Sequence, residues 1–314
     1  MVRAWSGVWS AGALALLLSA CGGAHARCLA ADAPCTGSGK LAHGGRTRTF
    51  RYHLPPKLKP ESPLVLALHG RLGQGKSQEK LSGFNAVADE GGFIVVYPDG
   101  VERSWADGRG TTPADQQGVD DVGFLTALVD YFIREFKSDR RRVYAAGMSN
   151  GAMMSYRLAC ERADRFAAIG PVAALMGQKL AQACAPSRPV SVISFMGTED
   201  PLVPFKGGPV SGDRGPVLSE TETREKWAAF NACEGGPAVS QEPERDPTDG
   251  TRIRRKAHGP CREGSEVVFH AVEGGGHVWP GGVQYLPKAI IGRGSQEADA
   301  SRELWKFFQR FQLP

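Results

Sequence analysis

Arg142-Val143-Tyr144-Ala145-Ala146-Gly147-Met148-Ser149-Asn150-Gly151-Ala152 is the stretch on which the fold turns. Its first half is a short apolar run, as a strand covered on both faces requires. Its second half opens a segment in which Ala152, Tyr156 and Ala159 recur at helical spacing. Between them lies Gly-x-Ser-x-Gly. A strand that turns sharply into a helix crowds the corner, so side chains at 147 and 151 would clash there. The turn lifts the Ser149 hydroxyl above the strand ends and aims the free N–H groups of the helix start at any charge developing beside it. With 40 glycines in the chain the motif alone is a moderate signal; the strand before it and the helix after it give it weight.

The same grammar extends outward. The runs 64–68, 93–97 and 190–195 are short and apolar on both faces, as central parallel strands are. Val122, Leu125, Leu128, Val129, Phe132 and Phe136 mark a helix between two of them, and Leu304, Phe307, Phe308 and Phe311 mark another late in the chain. Repeated strand–helix order predicts an α/β fold with a mostly parallel central sheet and helices on both faces, and the Gly-x-Ser-x-Gly corner within it resembles that of an α/β-hydrolase. Phe50, Tyr52 and Leu54 alternate as in an antiparallel edge strand. Residues 206–218 and 234–259 read as surface excursions near the site. The expected division is a signal peptide over 1–20, a tether with a small disulfide-closed loop over 21–47, and a catalytic domain over 48–314.

A serine alone is a poor nucleophile; it needs a base, and the base needs an orienting acid. In this fold the chain order is serine, acid, histidine. Of seven histidines, His258, His270 and His277 lie far enough along. His277 follows Gly274-Gly275-Gly276 and the apolar run 267–272, so a loop at a strand end can carry its imidazole over the serine. His270 lies inside that run as a structural side chain, and His258 lies in a charged, solvated loop. The acid belongs at the end of the preceding strand, in Gly197-Thr198-Glu199-Asp200-Pro201. Asp200 is preferred because Pro201 fixes a turn that holds the carboxylate inward; Glu199 is the rival. The expected oxyanion donors are the backbone N–H groups of Asn150 and, in His69-Gly70-Arg71-Leu72-Gly73, of Arg71, with Leu72 as rival. His69 precedes the serine and is assigned to holding its own loop. Asp120-Asp121 precede a helix, where aspartate caps the N-terminus.

Arg3 and the apolar run 8–18 form an export signal too short to span a bilayer permanently. It ends in Leu18-Ser19-Ala20-Cys21, which resembles the bacterial lipobox and implies a lipid on Cys21; cleavage near Ala24 or Ala26 is the plainer alternative. Of the seven cysteines, a lipidated Cys21 leaves Cys28, Cys35, Cys160, Cys184, Cys233 and Cys261. An oxidising compartment favours pairing them, most simply as neighbours (28–35, 160–184, 233–261) out of 15 connectivities. There is no Cys-x-x-Cys and no compact Cys/His cluster, so no metal is expected. A formal charge of +5, spread along the chain without interleaved aromatics, argues against a nucleic-acid partner.

Val95-Val96-Tyr97-Pro98-Asp99-Gly100, Ser104-Trp105, Val119-Asp120-Asp121-Val122-Gly123-Phe124, Gly147-Met148-Ser149-Asn150-Gly151 and Gly276-His277-Val278-Trp279-Pro280-Gly281 together resemble the feruloyl esterase and polyhydroxybutyrate depolymerase-like family, exported esterases related to carbohydrate esterase family one. The resemblance runs from about Thr49 to the C-terminus. It implies hydrolysis of carboxylic esters without metal or cofactor, with Ser149, Asp200 and His277 as triad and Trp105 and Trp279 flanking the substrate cleft. Two departures stand out: Arg71-Leu72 follow His69-Gly70 where the family often has a small residue or cysteine and then glycine, and Ala152 stands where a second glycine is frequent. The expected partners are an ester substrate and, through the N-terminal lipid, a membrane. The alternatives are a serine peptidase of the same fold and a lipoprotein that only binds a ligand.

Overall fold

The computed structural model describes residues 33–314. The export signal, Cys21 and Cys28 lie outside the described residues. Twelve strands occur among the described residues: β1 (Cys35–His43), β2 (Arg46–Leu54), β3 (Leu64–Leu68), β4 (Ile94–Pro98), β5 (Val143–Met148), β6 (Ala168–Val172), β7 (Ser191–Gly197), β8 (Gly208–Pro209), β9 (Pro216–Val217), β10 (Ala238–Gln241), β11 (Arg252–His258) and β12 (Val267–Glu273). Ten form one sheet in the order β1-β2-β4-β3-β5-β6-β7-β12-β11-β10, while β8 and β9 pair by themselves. From β4 across to β12 every pairing is parallel, and the two margins are antiparallel.

Alternating residues of β5 serve the two covered faces. Val143 and Ala145 pack with Leu125, Phe132 and Trp227 on one side. Tyr144, Ala146 and Met148 pack with Phe84, Leu304 and Phe308 on the other. The helices Asp121–Phe136 and Glu220–Phe230 cover the first face, and Phe84–Gly91 and Ala300–Phe308 the second. Parallel strands reach the same edge at their carboxyl ends, so the turns after β3, β5, β7 and β12 share one rim.

Two expectations about the margins are corrected. The sheet begins at Cys35, inside the segment expected as tether: β1 lies along β2 with Gly37 opposite Tyr52 and Gly39 opposite Phe50. A Cβ on Gly37 would stand 2.3 Å from the Tyr52 ring, and one on Gly39 2.4 Å from that of Phe50. The bare glycines seat the rings, a cross-strand packing that has no apolar signature in β1 itself. Likewise 234–259 is more than a surface excursion, because β10 and β11 extend the sheet within it. His258 ends β11 buried, 2.6 Å from Arg224 Nη1, rather than solvated. The 206–218 segment does leave the sheet and carries the β8–β9 ribbon.

Disulfides join Cys160 to Cys184 and Cys233 to Cys261, as sequential pairing predicted. Cys35 is also disulfide-bonded. Among the described residues no helix is long and apolar enough to cross a membrane.

Candidate active site

Ser149 caps the helix Asn150–Glu161 at the end of β5, with φ 54° and ψ −120°. An L-residue adopts that region only under constraint. Here the constraint is steric and hydrogen-bonded: a Cβ on Gly147 would lie 2.5 Å from the Gly151 carbonyl carbon, and one on Gly151 2.3 Å from the Leu68 oxygen. The Ser149 N–H donates to the Val172 carbonyl, and its own carbonyl accepts from Met153. The corner therefore closes only with glycine at 147 and 151, and it leaves Ser149 half-buried with its hydroxyl unbonded among the described residues.

At the ends of β7 and β12 the structure joins two more of the expected residues. His277 Nδ1 lies 2.7 Å from Asp200 Oδ2, both side chains buried. The other Asp200 oxygen, Oδ1, accepts the Leu202 and Val203 N–H groups at 2.8 and 2.9 Å. Pro201 begins the turn that delivers those donors. A carboxylate saturated on one oxygen by backbone donors presents the other at fixed angle, which orients the imidazole. Glu199, the rival acid, is exposed. The His277 backbone is pinned by its N–H to the Ile291 carbonyl and by the Tyr285 hydroxyl, which donates to its carbonyl. Since β5 and β12 are three strands apart, ~14 Å, the loop from Gly274 has to swing inward for the imidazole to approach the serine.

On the β3 side, Leu72 N–H is committed to the Arg103 carbonyl, and Leu72 adopts φ 64°. That N–H is therefore not available to an oxyanion. Gly70, two residues before Leu72, lies against Ser149, where a Cβ would touch Ser149 Cβ at 3.4 Å. His69 holds this loop as expected. Its Nδ1–H donates to the Gly70 carbonyl, its Nε2 accepts the Gly100 N–H, and burial pushes its pKa down to about 4. His270 is structural too, stacked on Phe195 and likewise lowered to about 4 by burial.

The two tryptophans are a correction. Trp105 is wholly buried, its indole N–H on the His69 carbonyl and its ring against His69. Trp279 is buried with its N–H on Ser301 Oγ and its ring edge-on to Phe84. Both brace the loops behind the site, and neither offers a face to a ligand. The aspartate pair divides its duties: Asp120 caps its helix through Gly123 N–H, whereas Asp121 is buried between Arg48 and the Ala106 N–H.

Sequence reasoning missed a buried network directly behind the elbow. Asn150 Oδ1 accepts the Trp105 N–H, and its Nδ2 donates to the Trp105 carbonyl and, at 2.6 Å, to Asp107 Oδ2. Asp107 in turn pairs with Arg109, both buried. Its one available signal was the nearness of Asp107 and Arg109 to Ser104-Trp105. Tyr285 had none, since a loop tyrosine carries no periodicity.

A mostly parallel sheet with this elbow and a carboxylate–histidine pair on one rim has the architecture of the α/β-hydrolase fold. Residues 49–196 match the model of the family described as Esterase PHB depolymerase. NocK of Nocardia uniformis subsp. tsuyamanensis, named provisionally as an esterase, is 34% identical over 274 residues, covering 83% of this chain and 79% of that protein. Feruloyl esterase D of Neurospora crassa is 27% identical, over 90% of this chain and 92% of its own. An acetyl xylan esterase from Aspergillus awamori shares the fold at a TM-score of 0.56 and 16% identity, over 77% of this chain and 94% of that one. The chain belongs to the esterase PHB depolymerase family, among feruloyl esterase-like carboxylic ester hydrolases.

Proposed function

We propose that the protein is an exported serine esterase that works through an acyl-enzyme, with Ser149 as nucleophile, His277 as base and Asp200 as orienting acid. The observation that carries this reading is the 2.7 Å bond between His277 Nδ1 and a backbone-saturated Asp200 on the rim that Ser149 shares. With Nδ1 committed, Nε2 is the nitrogen left to take the Ser149 proton as the hydroxyl attacks the ester carbonyl. The tetrahedral oxyanion is held by the N–H groups of Asn150 and Arg71. The imidazolium then protonates the leaving alcohol, and water repeats the sequence to free the acid. Serine and imidazole close to hydrogen-bonding distance when substrate is bound, as in many resting hydrolase sites.

The acyl group is a hydroxycinnamoyl, acetyl or hydroxyalkanoyl group, a range supported by the relatives' names and by the family description. Ser149→Ala is expected to lower turnover of a chromogenic short-chain ester by about 10⁴-fold or more with the fold retained; undiminished turnover contradicts the mechanism. An amide of the same acid is expected to turn over far more slowly, which separates an esterase from a peptidase. The lipid on Cys21 completes the proposal: Cys21→Ser is expected to move the protein from the membrane to the soluble fraction, and an unchanged membrane fraction argues for a plain signal peptide.

A further inference from the structure

The Asn150 N–H is the first of its helix, so no intrahelical carbonyl receives it and it can meet an oxyanion. The Asn150 side chain is buried and bonded to one neighbouring segment. Its Oδ1 accepts the Trp105 N–H at 2.8 Å, and its Nδ2 donates to the Trp105 carbonyl at 3.1 Å and to Asp107 Oδ2 at 2.6 Å. The same segment holds the loop on the other side of the serine. The Trp105 indole N–H donates to the His69 carbonyl at 2.9 Å, and His69 Nδ1 donates at 2.8 Å to the carbonyl of Gly70, the residue before Arg71. The two proposed oxyanion donors, the N–H groups of Asn150 and Arg71, are thus tied through short links to Trp105.

Asp107 fixes that segment. It is wholly buried and takes Arg109 in a fork, with Nη2 2.7 Å from Oδ2 and Nε 3.1 Å from each oxygen. Arg109 Nη1 donates onward to the Arg214 carbonyl at 2.7 Å, and Ser211 N–H donates to the Leu202 carbonyl. The β8–β9 excursion therefore runs as a strap from Arg109 to the turn that also supplies a donor to Asp200. A buried ion pair adds little net stability, because desolvation offsets most of the attraction. What it does supply is a fixed position. Since Arg109 neutralises Asp107, the carboxylate holds Asn150 without a net negative charge behind the developing oxyanion.

We propose that the Asn150 carboxamide and Asp107 are positioning groups for the oxyanion hole, holding the helix start and the Gly70–Arg71 loop at the separation that a tetrahedral oxyanion requires. The proposal rests on the serine-esterase reading above and deepens it. Donors misplaced by a fraction of an ångström still bind the ester but no longer meet the charge that forms as the carbonyl is attacked. The loss then falls on kcat. A network that only stabilised the fold would leave kcat intact in every variant that folds.

Asn150→Ala keeps the backbone donor and removes only the side chain that holds it. Its kcat on para-nitrophenyl acetate is expected to fall about 10²-fold, with KM within about twofold. Affinity for hexyl trifluoromethyl ketone, whose adduct with Ser149 carries the same oxyanion, is expected to fall by a matching factor. The double variant Asp107→Asn with Arg109→Met, uncharged and close in size, is expected to show both losses at about tenfold. Urea midpoints report whether each variant is folded. Unchanged kcat in either folded variant, or a loss of kcat that leaves the ketone's affinity intact, overturns the positioning role. Turnover that persists in Ser149→Ala overturns the serine mechanism instead, so the two failures are told apart.

Discussion

Two histidines stand at strand ends on the catalytic rim, His69 after β3 and His277 after β12, each beside glycine and each buried. Their partners separate them. His69 spends both ring nitrogens on backbone, the Gly70 carbonyl and the Gly100 N–H, and burial holds it neutral with a pKa down at about 4. His277 spends one nitrogen on a carboxylate and keeps the other free. A ring bonded only to neutral peptide groups has nothing to stabilise the imidazolium, so it serves as a strut. A ring backed by Asp200 can take up a proton and return it. On the proposed mechanism the second partner, more than position or burial, separates a scaffold histidine from a base.

The contrast breaks most visibly at Asp200. Asp200→Asn removes the charge and allows the wrong tautomer, and kcat is expected to drop by about 10⁴-fold while the urea midpoint moves little; a fall of less than tenfold would mean that His277 does not need its carboxylate. The next effect concerns pH. His69 and His270 are pushed down to about 4 when folded, against an unfolded value near 6.5. The unfolded chain therefore binds more protons between those values. Stability is greatest above pH 6.5 and falls as pH drops toward 4, by up to about 3 kcal/mol for each ring. Urea midpoints at successive pH values measure that loss, and a flat profile over the window contradicts the buried neutral assignment.

The smallest expected effect belongs to the strut. His69→Ala strands the part-buried Gly100 N–H and opens a gap under Trp105, which is expected to cost about 2 kcal/mol of stability. Its kcat is expected to fall far less than that of Asp200→Asn, and it should lose part of the acid sensitivity just described. An equal loss of kcat in the two variants would erase the distinction between strut and base.

The Ser149 corner, the Asp200 turn and the His277 loop were legible in the sequence because each is local: glycines where backbones touch, a proline that shapes a turn, an apolar run that ends at a histidine. The parallel centre of the sheet was legible for the same reason. What escaped reading depends on residues far apart. Trp105 and Trp279 look like stacking platforms in glycine-rich loops, yet their burial is set by His69, Ser301 and Phe84. β1 shows no apolar alternation because its glycines accept rings from β2. β11 hides behind Arg254, Arg255 and Lys256, which a sheet margin tolerates. The Asn150–Asp107–Arg109 network and the strap it anchors join three segments that no local pattern links.

Labelling with a fluorophosphonate, mapped by mass spectrometry in the wild type and in His277→Ala, tests the serine mechanism most directly. One adduct is expected, on the Ser149 oxygen, forming at least about 10³-fold more slowly once the imidazole is gone. An adduct on another residue, or equal labelling rates in the two proteins, would contradict it.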